Sequence, residues 1–457
     1  MNKIINFDNI ILFSIFMSPF STILIYKTNI ADFKLIEVLW LAIFVTLMIK
    51  KAANKELLIV KNSAYTNKIS NSIFMLYISV AIFSCLFSIN INRSIKELFQ
   101  YIYLFILMYT IYYKSKDINF FNKIVKTMIL ANFFLVTICI LSYISGKVIV
   151  PSFILSSNGA IYVNNNLFST NILVESGNEI LRLNGVLGLG ATAIANQILI
   201  QSLFVNYFIR TITGKKKIFF YLLLIANLIT MVITYSRVGI LIFIAVHLLS
   251  VMSKNQIKNF VIIVAITLLC ALILNLFTNV QERLLETFNT EEQSSKYHFA
   301  IWIIAFKTGF NNILTGIGLG NMAFSYDSYG YEFYRFGIAK TNAVNVHNFI
   351  LQIWSEQGMI GLLSNVLLLF SPIFYYFKIK YVDKIITSGK SIYYFIILAY
   401  TATLMYNLTN NNFYIETFWI TLGLVYSIRS QVRDIHISNS DIKYLEDNKL
   451  QKVTISI

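Results

Sequence analysis

Apolar runs long enough to cross a lipid bilayer recur along this whole sequence, and that recurrence constrains its fold more than any motif does. A spanning helix takes about 20 mainly apolar residues. On that measure twelve stretches qualify: about 10–26, 32–49, 69–89, 98–113, 124–146, 186–209, 218–234, 237–253, 257–277, 359–377, 391–408 and 413–428. The second is the least regular, because it carries Asp32, Lys34 and Glu37. Composition argues against a fold in water. Of 457 residues, 57% are hydrophobic and 13% charged, whereas soluble domains carry about 25% charged residues. The expectation is an all-α polytopic membrane protein with about twelve transmembrane helices, because helices satisfy every backbone polar group within lipid. The first run lacks a small-residue cleavage site, so it reads as a retained helix and not a removed signal.

The position of each charge then matters more than the total. Loops at 50–68, 114–123, 210–217, 254–258 and 378–390 hold eighteen Lys and Arg residues, and the alternate loops, leaving out the longest, hold six: Lys27, Arg93, Lys96, Lys147, Arg182 and Arg237. Cytoplasmic loops carry the excess of Lys and Arg, so the first set and both termini are expected inside. The net charge of +16 is then mostly a topology signal, and no nucleic-acid partner is needed to explain it. This orientation divides the chain into a membrane domain over 1–428 and a cytoplasmic tail over 429–457, with long extracytoplasmic loops at 147–185 and 278–346. The second loop lies between the ninth and tenth helices. Within it, Tyr297 to Phe310 is apolar but too short to span, which suits an interfacial or re-entrant helix. Cys85, Cys139 and Cys270 sit in apolar runs with no partner at metal spacing and read as small core residues.

The candidates for chemistry gather in and beside these outer loops. Arg237 follows Thr234-Tyr235-Ser236 at the outer end of the eighth helix, where a guanidinium either snorkels to headgroups or grips phosphate through its paired donors. His347 opens the segment Val346-His347-Asn348-Phe349 where the long loop returns to apolar sequence. It reads equally as a packing residue or as an imidazole able to accept a proton near neutral pH. With no second ligand at spacing, a metal is the weaker option. His298, between Tyr297 and Phe299, suggests an interfacial residue, and His247, deep in the cytoplasmic half of a helix, suggests packing. Gly316, Gly318 and Gly320 resemble a nucleotide loop only superficially. No strand precedes them, so tight turns or close backbone approach to a ligand explain them better. Glu37 and Glu416, inside apolar runs, read mainly as helix–helix hydrogen bonders.

Four stretches occur in an order that resembles the bacterial O-antigen ligase / O-antigen polymerase family. They are Arg182-x-x-Gly185, Ser236-Arg237, Lys296 to Trp302 followed by Gly316-x-Gly318-x-Gly320, and His347-Asn348-x-x-Leu351-Gln352-x-x-x-Glu356-x-Gly358-x-x-Gly361. The resemblance covers about residues 180–365, and the N-terminal third matches in hydropathy alone. It implies a fold similar to the C-type glycosyltransferases and a place in the bacterial inner membrane. The implied reaction moves sugar chains from undecaprenyl diphosphate to an acceptor glycan or lipid-linked glycan, with neither metal nor other cofactor. Membrane lipid and other polysaccharide-assembly proteins are the implied neighbours. By position, His347 corresponds to the family's proposed base and Arg237 to its diphosphate-binding arginine. Arg182 falls on the matched outer-loop motif and joins them as a candidate diphosphate ligand. Lys296 stands where many relatives carry a second arginine, which keeps the charge but loses the fork. Arg283, Arg335, Asn348 and Glu356 are further candidates.

The reading favoured at this point is polymerisation of O-antigen or capsular repeat units. Ligation of a finished polysaccharide to an acceptor such as the lipid A core of lipopolysaccharide is the alternative. A polysaccharide flippase is a more distant one, because transporters usually show two related halves with functional groups near mid-membrane. A membrane scaffold would leave the charged outer loop unexplained.

Overall fold

The computed structural model describes residues 7–20, 24–27, 32–53, 64–145, strand segments between 148 and 179, and residues 183, 186–251, 293–337, 345–380 and 391–431. The apolar runs form helices: α1 (Phe7–Phe16), α2 (Leu35–Ala53), α3 (Ala64–Leu86), α4 (Ile91–Lys114), α5 (Ile118–Ser145), α6 (Ala191–Thr211), α7 (Lys216–Ile233) and α8 (Arg237–Val251). After α9 (Gln293–Asn311) come two short helices, α10 (Ser325–Tyr329) and α11 (Tyr331–Arg335), then α12 (Phe349–Lys380), α13 (Ile392–Asn407) and α14 (416–431). Polar caps start several of them. Asn90 accepts from the N–H of Arg93 at the head of α4, and Ser391 accepts from Tyr393 at the head of α13, each satisfying a donor that has no partner within the helix.

Five of these helices, α3, α5, α6, α7 and α12, are long and apolar enough to cross a membrane, and α1, α2, α8 and α13 are shorter apolar helices. The expected span at 257–277 lies outside the described residues, as does the tail from 432. The first expected span is corrected. α1 stops at Phe16 and gives way to a 3-10 turn over Ser18–Phe20, because Pro19 has no N–H to continue a helix. The chain then runs as a strand over Leu24–Lys27. That strand pairs antiparallel with Asp32–Lys34 and parallel with Phe153–Leu155, which pairs in turn with Ile161–Val163. Helix remains the fold class, and these short strands are confined to loops at one end of the bundle.

α6 sits at the centre. It packs on α7, α8 and α13, while α3 packs on α12 and α9 on α12. Trp40, Tyr77, Tyr101, Tyr400 and Trp419 are fully buried between helices, whereas Met75, Leu86, Phe99 and Phe374 turn outward, the arrangement expected where lipid replaces water. The two ends of the bundle differ. At one, Lys114 pairs with Asp8 and the Arg210 guanidinium donates to the Ser250 carbonyl. The other end collects the loops that carry the site.

Candidate functional site

The chain enters α12 through Asn345–Asn348, and each of these residues is tied down. Asn348 is the cap of the helix, its Oδ1 accepting from the N–H of Leu351 at 3.0 Å. Its Nδ2 donates 2.8 Å to the carbonyl of Leu408, at the end of α13. The N–H of His347 donates 2.8 Å to Asn345 Oδ1. The preceding residue is held from both sides: the N–H of Val346 donates to Gln352 Oε1 at 3.2 Å, and its carbonyl accepts from Trp302 Nε1 on α9 at 3.1 Å. These contacts hold His347 at a φ of 55°, a left-handed conformation that non-glycine residues adopt only when their surroundings enforce it.

The His347 ring is half-buried and meets the His298 ring edge to face, centroids 4.7 Å apart and planes at 87°. Burial, together with the neighbouring His298, pushes His347 from its ordinary value of 6.5 down to about 4. At neutral pH it is therefore uncharged and able to accept a proton. His298 is the residue that sequence reasoning missed, since its neighbours Tyr297 and Phe299 suggested only an interfacial position. Trp302 and Gln352 were missed as supports as well, although Gln352 and Glu356 stand at helical spacing and so carried a readable signal.

Arg237 begins α8 after a turn in which Tyr235 has a φ of 51°. The Ser236 hydroxyl lies 2.6 Å from that of Tyr406, near the end of α13. The N–H of Leu183 donates 3.0 Å to the carbonyl of Ile233, which brings Leu183 to the same turn. Thus the last residues of α13 hold both neighbours: Tyr406 the one beside Arg237, and Leu408 the one beside His347.

The remaining candidates separate. Lys296 is two residues from His298, so on a helix the two side chains leave about 200° apart, and it does not share the face turned to His347. Arg335 is mostly exposed and lies 3.7 Å from the buried carboxylate of Glu332, which also accepts from Lys307. That carboxylate, with the Tyr331 hydroxyl, raises the Lys307 pKa. Arg182, Gly185 and Arg283 lie outside the described residues. His247 packs at the far end of the bundle, its ring 4.1 Å from that of Phe243 and its Nδ1 2.8 Å from the Phe243 carbonyl. Glu416 accepts from Tyr103 at 3.3 Å across two helices, whereas Glu37 is engaged locally by Lys34.

Glu356 is fully buried, its Oε1 accepting from Gln352 Nε2 at 2.7 Å. Because Gln352 Oε1 also accepts from the N–H of Val346 and, at 2.9 Å, from Asn411, Glu356 reaches the backbone of the residue before His347 through one intervening side chain. The glycine loop lies directly behind. α12 breaks at Gly358, with φ 61° and ψ −159°. The loop supplies the bonds that the break removes: Ile317 and Gly318 donate to the carbonyls of Ser355 and Glu356 at 3.1 and 2.8 Å, while Met359 and Ile360 donate to those of Ile313 and Leu314 at 2.7 and 3.3 Å. A Cβ at Gly316 would meet the Glu356 backbone of this broken helix, one at Gly318 would meet Ser88 and one at Gly320 would meet Glu97, so each of these glycines lies against another part of the same chain.

Residues 221–366, from α7 through the first part of α12, match a family model described as O-Antigen ligase. A comparison with curated proteins finds no match.

Proposed function

We propose that this chain, whose residues 221–366 match a family described as O-Antigen ligase, joins glycan units carried on undecaprenyl diphosphate at the outer face of the inner membrane. His347 acts as general base. It takes the proton from the acceptor hydroxyl as that oxygen bonds to the anomeric carbon and the bond from that carbon to the diphosphate oxygen breaks. The electron pair leaves with the diphosphate, whose growing charge Arg237 meets with two parallel donors. A single displacement of this kind inverts the anomeric centre. Base catalysis is worth about 10²–10⁴-fold, and the arginine contributes on top of that by favouring departure of the anion.

One observation carries the reading. Ser236 and Asn348, the immediate neighbours of Arg237 and His347, hydrogen-bond to Tyr406 and Leu408 at the same helix end. A cation and a neutral imidazole therefore belong to one end of the bundle, as a lipid diphosphate at headgroup level requires. Polymerisation is the favoured activity, and ligation to a lipid-borne acceptor uses the same groups.

A deletion strain complemented with wild type or His347→Ala tests this. The deletion is expected to accumulate single repeat units, and His347→Ala to leave that pattern unrepaired. Full-length chains stranded on the carrier lipid would instead make the protein a ligase. Normal glycans with His347→Ala would end the base assignment.

A further inference from the structure

Helix α9 presents one more residue to the transfer site. His298 and Trp302 are four apart and so share a face. Trp302 binds the carbonyl of Val346 while His298 packs on the ring of His347. The same helix face thus holds both the backbone and the imidazole. We propose that His298 is a positioning residue of the transfer site, fixing the plane of the His347 ring and forming with it a pair that carries at most one proton. The proposal rests on His347 being the base.

An edge-to-face contact sets the hydrogen-bearing rim of one ring against the π face of the other. That arrangement tolerates one cation and opposes two. Two sites this close titrate as a pair and not independently. The other titratable groups on the packed elements include Lys296 and Tyr297 beside His298, Lys307 engaged by Glu332, Tyr326, Asp327, Tyr329, Tyr331, Tyr334 and Arg335 on the short helices, and Glu356 behind Gln352. Burial raises the Tyr326 hydroxyl well above its ordinary value, so it stays neutral. The ring contact makes His298 the group that governs when His347 can receive a charge. The proton removed from the acceptor comes to rest on His347, and a charge already on His298 would oppose that transfer.

The chain has four histidines, His247, His298, His347 and His436, few enough to assign by single substitution. Imidazole-labelled protein in nanodiscs, titrated by NMR, reads each one directly. In the wild type, His298 and His347 should titrate in two coupled steps. In His298→Phe, which keeps an aromatic ring, His347 should titrate at least about half a pH unit higher, and the acid limb of kcat/KM should move with it. His298→Gln should show the same titration shift with a larger loss of kcat, because ring packing is lost too. An unchanged His347 titration in both variants, with the His247 resonance in its native position, would overturn the pairing. Because this readout needs no turnover, it is independent of the base assignment, which the His347→Ala complementation decides.

Discussion

A histidine held in a left-handed backbone conformation and kept neutral by burial is expensive to maintain, and its effects should appear in the pH dependence. An unfolded chain would bind the His347 proton below about pH 6.5, whereas the folded one resists it until about pH 4. The neutral form therefore supports stability fully above the unfolded value, and that contribution falls away as pH drops from 6.5 through 4. Activity follows the same group. The acid limb of kcat/KM, which reports the free enzyme, should fall well below 6.5, near 4. A bound lipid diphosphate brings negative charge to the pair and favours the protonated ring, so the limb of kcat should lie at higher pH. A pH–rate series with a soluble short-prenyl donor measures both. A kcat/KM limb at or above 6.5 would show that the ring is not desolvated. Little of this was legible in the sequence. His347 was recognisable from its motif, but His298 is distant in the chain and neither spacing nor composition connects the two.

At the scale of elements, the informative feature is the interruption of α12. A straight helix would satisfy its own backbone, whereas this one hands two acceptors and two donors to the 313–318 loop, as broken helices do where they are enclosed by protein. Only glycine takes the backbone angles of residue 358. A Cβ there would also fall 2.5 Å from the Leu314 carbonyl group, and one at Gly316 would fall 2.3 Å from the Glu356 carbonyl carbon. Gly358→Ala should therefore cost about 2–4 kcal/mol through strain and overlap. Gly337→Ala also has positive φ, at 69°, but nothing within 4 Å of its Cβ, and should cost about 1 kcal/mol. Thermal melts in detergent would rank the two, and equal losses would mean that the clasp between loop and helix contributes nothing. The sequence left tight turns or close approach to a ligand open for Gly316, Gly318 and Gly320; the neighbours are Glu356, Ser88 and Glu97 of the same chain, and no local pattern links the last two to the loop. The sequence also made α1 too long, since hydropathy continues past Pro19 while the hydrogen bonding does not.

For the whole molecule, the question is which side of the membrane the site faces. The described ends of the bundle agree with the charge pattern. Lys114, Arg210 and the Lys215–Lys217 turn lie at the end away from His347, and the strand-bearing loops lie at the site's end. This much was legible from lysine and arginine counts, because insertion sorts charge by loop and hardly depends on tertiary packing. Cysteine labelling can decide the direction. Cys85 and Cys139 are buried, so Cys270→Ser gives a background that an impermeant maleimide should not mark. Ser145→Cys, exposed at the end of α5, belongs to the site's end, and Thr213→Cys, exposed between α6 and α7, belongs to the other. In intact spheroplasts the first should react and the second should not, and permeabilisation should make both react. The opposite pattern would put His347 and Arg237 in the cytoplasm. There a chain builder that works on exported lipid-linked units could not meet its donor, and the proposed reaction would fail whatever the chemistry of its residues.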